Sequence, residues 1–126
     1  MNYDNISKIV WGESKTEADR QKESRTLRLK YPDSVPIIVV RNPRGNMPEL
    51  LTGHKYLAPS EISLSQFLYI LRKRMADKLR PEETLFLFIN NLIPPTSSYM
   101  GHLYEDEKYK DGFLYILYDK ENAFGN

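Results

Sequence analysis

The sequence predicts an α+β domain in which a four-stranded mixed sheet carries a central helix across one face and follows N-terminal helices. Three observations predict it. Val35–Val40 is a β-branched run, and Thr84–Asn90 and Phe113–Asp119 are similarly apolar, as buried strands are. Leu64, Phe67, Leu68, Leu71 and Met75 recur at i, i+3, i+4, i+7 and i+11, which puts one apolar face on a helix. Prolines at positions 32, 59 and 81 punctuate these segments.

The elements follow in chain order. Ile6, Ile9, Val10 and Trp11 suit a short apolar helix, ended by Gly12. From Thr16-Glu17 to Lys30 a polar helix is expected. Glu17, Asp19 and Glu23 come early, and Arg25, Arg28 and Lys30 come late, as the helix dipole favours. Leu27 and Leu29 are its chief apolar residues, so it should pack lightly. Tyr31-Pro32 stops it, because the residue before proline leaves helical dihedrals. Val35–Arg41 reads as a strand. Pro36 cannot donate to a ladder, which predicts a sheet edge for this strand, at least at its start. Asn42-Pro43-Arg44-Gly45-Asn46 is a turn. His54–Ala58 is a second strand, Ser60–Met75 the central helix, Thr84–Asn90 a buried strand, Ser97–Glu107 a short helix and Phe113–Asp119 the last strand. Parallel pairing of the first and last strands would make this a ubiquitin-like roll. The organisation is then a helical extension over 1–30, the roll over 31–118, and a loose tail over 119–126 that ends Gly125-Asn126.

Composition narrows function. Among 126 residues there is no cysteine, which removes a disulfide framework, a zinc ribbon and a thiol nucleophile from this chain. The net charge of +1 argues against a dedicated nucleic-acid binder, which carries a basic excess. His54 and His102 are the only histidines. HExxH, GxSxG, P-loop and GxGxxG patterns are absent, so the inventory supports neither an enzyme, a cofactor nor a metal site. The longest apolar runs span about six residues, whereas a membrane-crossing helix needs ~20. No secretory leader is visible at the start, so a cytoplasmic location is expected.

Several stretches resemble one family. Lys55-Tyr56-Leu57-Ala58-Pro59, Phe67-Leu68-Tyr69-Ile70-Leu71-Arg72-Lys73-Arg74, Asp111-Gly112-Phe113-Leu114-Tyr115 and Glu121-Asn122-Ala123-Phe124-Gly125 stand in one order. Together they resemble the autophagy ubiquitin-like modifiers, which include the light chain 3 and GABA-receptor-associated proteins. The likeness runs from about Glu17 to Asn126. It departs at Ala58 (usually Val), at Ala123 (usually Thr), and in short insertions before Lys55 and between Arg74 and Phe86.

The resemblance implies a function. A processing cysteine protease would cut after Gly125 and release Asn126, with Phe124 as an apolar handle. Activating and conjugating enzymes of the ubiquitin-like pathway would then join Gly125 to phosphatidylethanolamine, tethering the protein to autophagosomal membranes as a scaffold. Glycine suits a residue whose carbonyl must reach a partner's thiol, since it lacks a Cβ. Autophagy receptors would dock peptides of the form aromatic-x-x-aliphatic, added as a strand to a sheet edge, with the strand that opens at Pro36 as the suitable place. The aromatic pocket would use Glu23, Leu27, Pro36, Ile38, Lys55, Leu57 and Phe113. The aliphatic pocket would use Tyr56, Ala58, Pro59, Ile62, Phe67 and Ile70. Acidic peptide residues would meet Lys30, Lys55, Arg72 or Arg74. Ala123 and the longer N-terminus keep open a second reading, an unconjugated ubiquitin-like adaptor that binds peptides or microtubules.

Overall fold

The computed structural model describes residues 3–45, 47–49, 51 and 53–120. The elements are α1 (Tyr3–Trp11), α2 (Glu17–Lys30), β1 (Ser34–Arg41), β2 (Lys55–Pro59), α3 (Leu64–Arg74), β3 (Phe86–Phe88), α4 (Met100–Glu107) and β4 (Leu114–Asp119). The strands lie in the order β2-β1-β4-β3. β1 and β4 run parallel at the centre, from Ile37 opposite Leu114 to Arg41 opposite Tyr118. β2 and β3 flank them antiparallel. This is the mixed-sheet roll that the sequence predicts.

The edge expected for β1 holds only at its start: Ser34–Pro36 pair with β2 alone, whereas from Ile37 onward β1 is an inner strand between β2 and β4. Pro36 is tolerated there for a local reason. Val39 N–H donates to His54 C=O, so the odd-numbered residues of β1 exchange hydrogen bonds with β2. Pro36, opposite Leu57, would point its missing N–H the other way, and β4 begins to pair only at Ile37. The edge open to an added strand therefore belongs to β2, not to the strand that opens at Pro36.

Side chains of β1 and β4 alternate between two cores. Val35, Ile37, Val39, Leu114, Ile116 and Tyr118 face Leu64, Phe67, Leu71 and Met75 around α3, and Met100 and Leu103 of α4. Ile38, Val40, Tyr115 and Leu117 face Ile6 and Trp11 of α1, with Phe113 and Phe88 alongside.

Element ends have identifiable causes. Thr16 and Ser63 each close a capping box, with Asp19 and Gln66 respectively, which starts α2 at Glu17 and α3 at Leu64 rather than at Ser60. Gly12 has φ +59 and separates α1 from α2, as a left-handed residue does. β3 is shorter than the Thr84–Asn90 run suggested. Asn90 and Asn91, with φ 50 and 65, turn the chain back so that Ile89 bridges to Leu92. Asparagine is among the few residues that accept this conformation. α4 starts at Met100 rather than at Ser97.

α2 packs lightly in apolar terms, as expected: Leu29 is exposed and Leu27 is half-buried against the core around Phe113. Its buried residues are Arg20 and Ser24, so polar contacts supplement that packing.

Candidate peptide-docking site

A cavity of about 280 Å³ opens between α2 and β2, lined by Glu23, Leu27, Lys55, Tyr56, Leu57 and Phe113. The two elements come together because α2 lies across one sheet face next to the β2 edge. Leu27 and Phe113 supply apolar wall. Leu57, 40% exposed, stands at the mouth. Glu23 and Lys55 form a charged rim, with Lys55 Nζ 2.9 Å from Glu23 Oε1 and Lys15 Nζ 3.0 Å from Oε2. Burial alone would raise the Glu23 carboxyl. The hydrogen bonds from Lys55 and Lys15, with their charges, outweigh it and hold the group below the usual carboxylate range.

Five residues named for an aromatic pocket thus converge on one cavity: Glu23, Leu27, Lys55, Leu57 and Phe113. Pro36 and Ile38 do not line it. Pro36 is buried in β1, and Ile38 lies fully buried in the core that also holds Phe113. Tyr56, named for the other pocket, does line it.

Phe113 is aimed by a buried polar network that sequence reasoning missed. Asp111 is fully buried. Its Oδ1 accepts from the Phe113 backbone N–H at 3.0 Å. Its Oδ2 accepts from Arg20 Nε at 3.0 Å and from the Tyr115 hydroxyl at 2.6 Å. The Asp111 carbonyl accepts from Ser24 Oγ at 2.8 Å. Gly112 has φ +86, and a Cβ there would strike Ser24 Oγ. The Asp111-Gly112-Phe113 turn and α2 are thereby locked to each other. Tyr115, desolvated and next to the Asp111 carboxylate, is held as the neutral phenol. Tyr115 oxygen accepts in turn from Trp11 Nε1 at 3.0 Å, which ties α1 into the same network.

The residues named for an aliphatic pocket gather where β2 meets α3. Tyr56 meets Phe67 edge-on, with ring centroids 6.2 Å apart, and Arg74 stands over Tyr56 at 5.3 Å. Ile62 packs on the same core. Ile70 and Pro59 are exposed, whereas Phe67 and Ala58 are buried. Ala58 therefore shapes this region from behind rather than presenting surface.

The basic residues differ among themselves. Arg72 donates to Glu83 C=O at 2.8 Å and to the carbonyls of Pro81 and Arg80, so it holds the loop after α3. Lys30 is exposed, over the Tyr31 ring at 5.4 Å. Glu83 of that loop also meets Lys120, Oε2 to Nζ at 3.1 Å. Phe124, Gly125 and Asn126 lie outside the described residues. Among the described residues no helix is long and apolar enough to cross a membrane, and no group of three His, Cys, Asp or Glu could hold a metal ion.

The comparisons with known proteins agree with one another. A family model described as "Autophagy protein Atg8 ubiquitin like" matches residues 19–125. Autophagy-related protein 8d of Arabidopsis thaliana is 44% identical over 106 residues, covering 84% of this chain and 86% of that protein. Autophagy-related protein 8A of Oryza sativa subsp. indica is 45% identical over 107 residues, covering 85% and 87%. The crystal structure of Trypanosoma brucei ATG8 superposes with a TM-score of 0.78 at 35% identity, covering 86% of this chain and 91% of that one. Motif order, sheet topology and these matches lead to one conclusion: the chain belongs to the Atg8 family of ubiquitin-like autophagy proteins.

Proposed function

We propose that this protein is a non-enzymatic modifier and scaffold. It is cleaved after Gly125, conjugated there to phosphatidylethanolamine, and recruits receptors through aromatic-x-x-aliphatic motifs on autophagosomal membranes. The observation that carries the docking part is the cavity between α2 and β2, beside a β2 edge that no further strand covers among the described residues. A peptide added as a strand to β2 would set an aromatic side chain at Leu57 and Phe113 and an aliphatic one towards Tyr56, Ile62 and Ile70.

The energetics suit transient recruitment. Burying an aromatic side chain of ~150–250 Å² gives roughly 4–6 kcal/mol, and an aliphatic anchor about 2 kcal/mol. Ordering the peptide takes back several kcal/mol, which leaves affinities near the micromolar range (about −8 kcal/mol) once strand hydrogen bonds are included. The conjugation part is supported by family membership and by the Asn122-Ala123-Phe124-Gly125-Asn126 ending. A diacyl anchor at ~0.8 kcal/mol per buried methylene would hold a small domain on a bilayer.

The test is intact mass of the protein from the cytosolic and membrane fractions of its own cells. The expected result is loss of Asn126 in the cytosol and a phospholipid-sized addition at Gly125 on membranes. Full-length mass in both fractions would refute conjugation and favour the adaptor. Calorimetry with a synthetic motif peptide tests docking independently: binding near 1–10 μM is expected, and Leu57→Ala should weaken it.

A further inference from the structure

Trp11 is the single tryptophan of the chain and lies ahead of the matched stretch 19–125. It is 8% exposed and packs on Phe113 with ring centroids 5.6 Å apart. Its indole N–H is tied to Tyr115. Two ammonium groups approach its ring: Lys15 Nζ and Lys55 Nζ are each 5.3 Å from its centroid. The same two groups grip Glu23 from opposite oxygens, at 3.0 and 2.9 Å. One aromatic ring, two cations and one carboxylate therefore meet beside the α2–β2 cavity, which Glu23 and Lys55 line. The cluster holds one positive charge more than negative.

We propose that Trp11 is a positioning residue for this charged rim, and that Glu23 is the resident occupant of a two-lysine station. In the docking reading Lys55 already meets acidic peptide residues; Lys15 beside it completes a station for a carboxylate flanking the aromatic anchor. An incoming carboxylate claims one ammonium while Glu23 keeps the other. Glu23 is left with one ammonium partner, and the strength of the exchange is set by how the ring holds both lysines. An indole face attracts cations more strongly than a phenyl ring, and an aliphatic side chain not at all. The segment before the family-matched stretch thus sets how strongly this protein distinguishes acidic from neutral motif contexts. The proposal rests on the docking reading above.

The test uses the full chain and two tryptophan-free peptides with Phe and Leu anchors, one with Glu directly before Phe and one with Gln. Affinities are measured by calorimetry at low salt. The wild type should favour the Glu peptide by about two- to fivefold, the scale of one exposed cation–π or ion-pair contact. Trp11→Leu should bring the ratio near one. Lys15→Gln, at a half-exposed position, should also lower the ratio, and Glu23→Gln should raise it by freeing both lysines. An unchanged ratio in Trp11→Leu overturns the proposal. Weakening of both peptides with the ratio kept would reduce Trp11 to a prop for Phe113 and overturns it too. If Trp11→Leu does not fold, an unchanged ratio in Lys15→Gln, or a fall in Glu23→Gln, overturns it. Failure of both peptides to bind the wild type overturns the docking reading, and this proposal with it.

Discussion

On the sheet face that carries α3 and α4, Ile37, Val39 and Ile116 meet Leu64, Leu71, Met75 and Met100 in an almost wholly apolar layer. On the face that carries α1 and α2, Ile38, Val40 and Leu117 meet Trp11, Phe113 and Tyr115, and Asp111 and Arg20 are buried at its margin. The first face is held by non-directional burial, roughly in proportion to area. The second is held by directed bonds that fix orientation: Arg20 to Asp111, Tyr115 to Asp111, Trp11 to Tyr115, Ser24 to the Asp111 carbonyl. The difference teaches where precision is needed. The α2–β2 cavity sits on the second side, and the side chains that line it depend on the angle at which α2 meets Phe113. An apolar seam would let α2 slide, whereas a buried hydrogen-bond network has one satisfied arrangement.

The sharpest way to break this comparison is Asp111→Ala. It leaves the Arg20 guanidinium, 10% exposed at its side chain, without its carboxylate, and Phe113 N–H without its acceptor. Loss of one partner from a buried pair costs about 3–5 kcal/mol. Urea unfolding should report a loss of this size. Hydrogen exchange should show α2 losing protection ahead of α3. Equal loss across both faces would mean that the network is not local to the second face.

Leu71→Ala probes the other face. Leu71 is fully buried against the α3-side core, and its truncation should cost about 2–5 kcal/mol, tending below Asp111→Ala as the site partly collapses. Here protection should fall in α3 first, with the near-ultraviolet circular dichroism of Trp11 retained. Smaller still are the helix caps. Thr16→Ala and Ser63→Ala each remove a side-chain acceptor, for Asp19 N–H and Gln66 N–H respectively, and each should cost about 1 kcal/mol. The comparison predicts a functional difference between them. Fraying α2 should weaken motif-peptide binding through Glu23 and Leu27, while fraying α3 should weaken it less.

The two faces were also unequally legible in the sequence. The α3 face follows from periodicity: Leu64, Phe67, Leu71 and Met75 announce a stripe, and all four are buried. The alternation of β1 and β4 is equally plain once both are read as strands. The second face leaves little periodic trace, because its anchors are an arginine, a serine and an aspartate that single-sequence reasoning assigns to solvent. Arg20 and Asp111 are 91 positions apart, and only the fold brings them together. Five of the seven residues named for the aromatic pocket line the cavity, and they came from a motif resemblance rather than from pattern. Ile38 is buried because its sheet face is covered by α1 and Phe113, and Pro36, two residues earlier, stands on that same face. Proline pointed to an edge, which holds only up to Pro36, because β4 joins the other side of β1 from Ile37 onward. Trp11 and Lys15 precede the stretch that the resemblance covers, so it gave no role for them.

The smallest expected effect tests the electrostatics of the rim directly. The Glu23 carboxyl titrates below the usual carboxylate range, burial opposing and the hydrogen bonds from Lys55 and Lys15 prevailing. For a depressed carboxylate the sign is fixed. Its contribution to stability is fully present above the unfolded pKa of about 4.3 and is lost as pH falls through the lower folded value. The carboxylate is therefore ionised at neutral pH, and the pH dependence of these bridges falls below the unfolded value. Because the lysine side chains are 38% and 50% exposed, solvent screens the pair and the stability at stake stays below about 1 kcal/mol. Carbon-13 NMR of the Glu23 carboxyl should show its midpoint rising in Lys15→Gln and further in Lys15→Gln/Lys55→Gln. If the single change already restores the ordinary value, Lys55 contributes nothing and the two-sided grip on Glu23 is one-sided. If neither change moves the midpoint, the lysines do not hold the carboxylate, and the contrast between a directed face and a merely buried one stops short of the cavity rim.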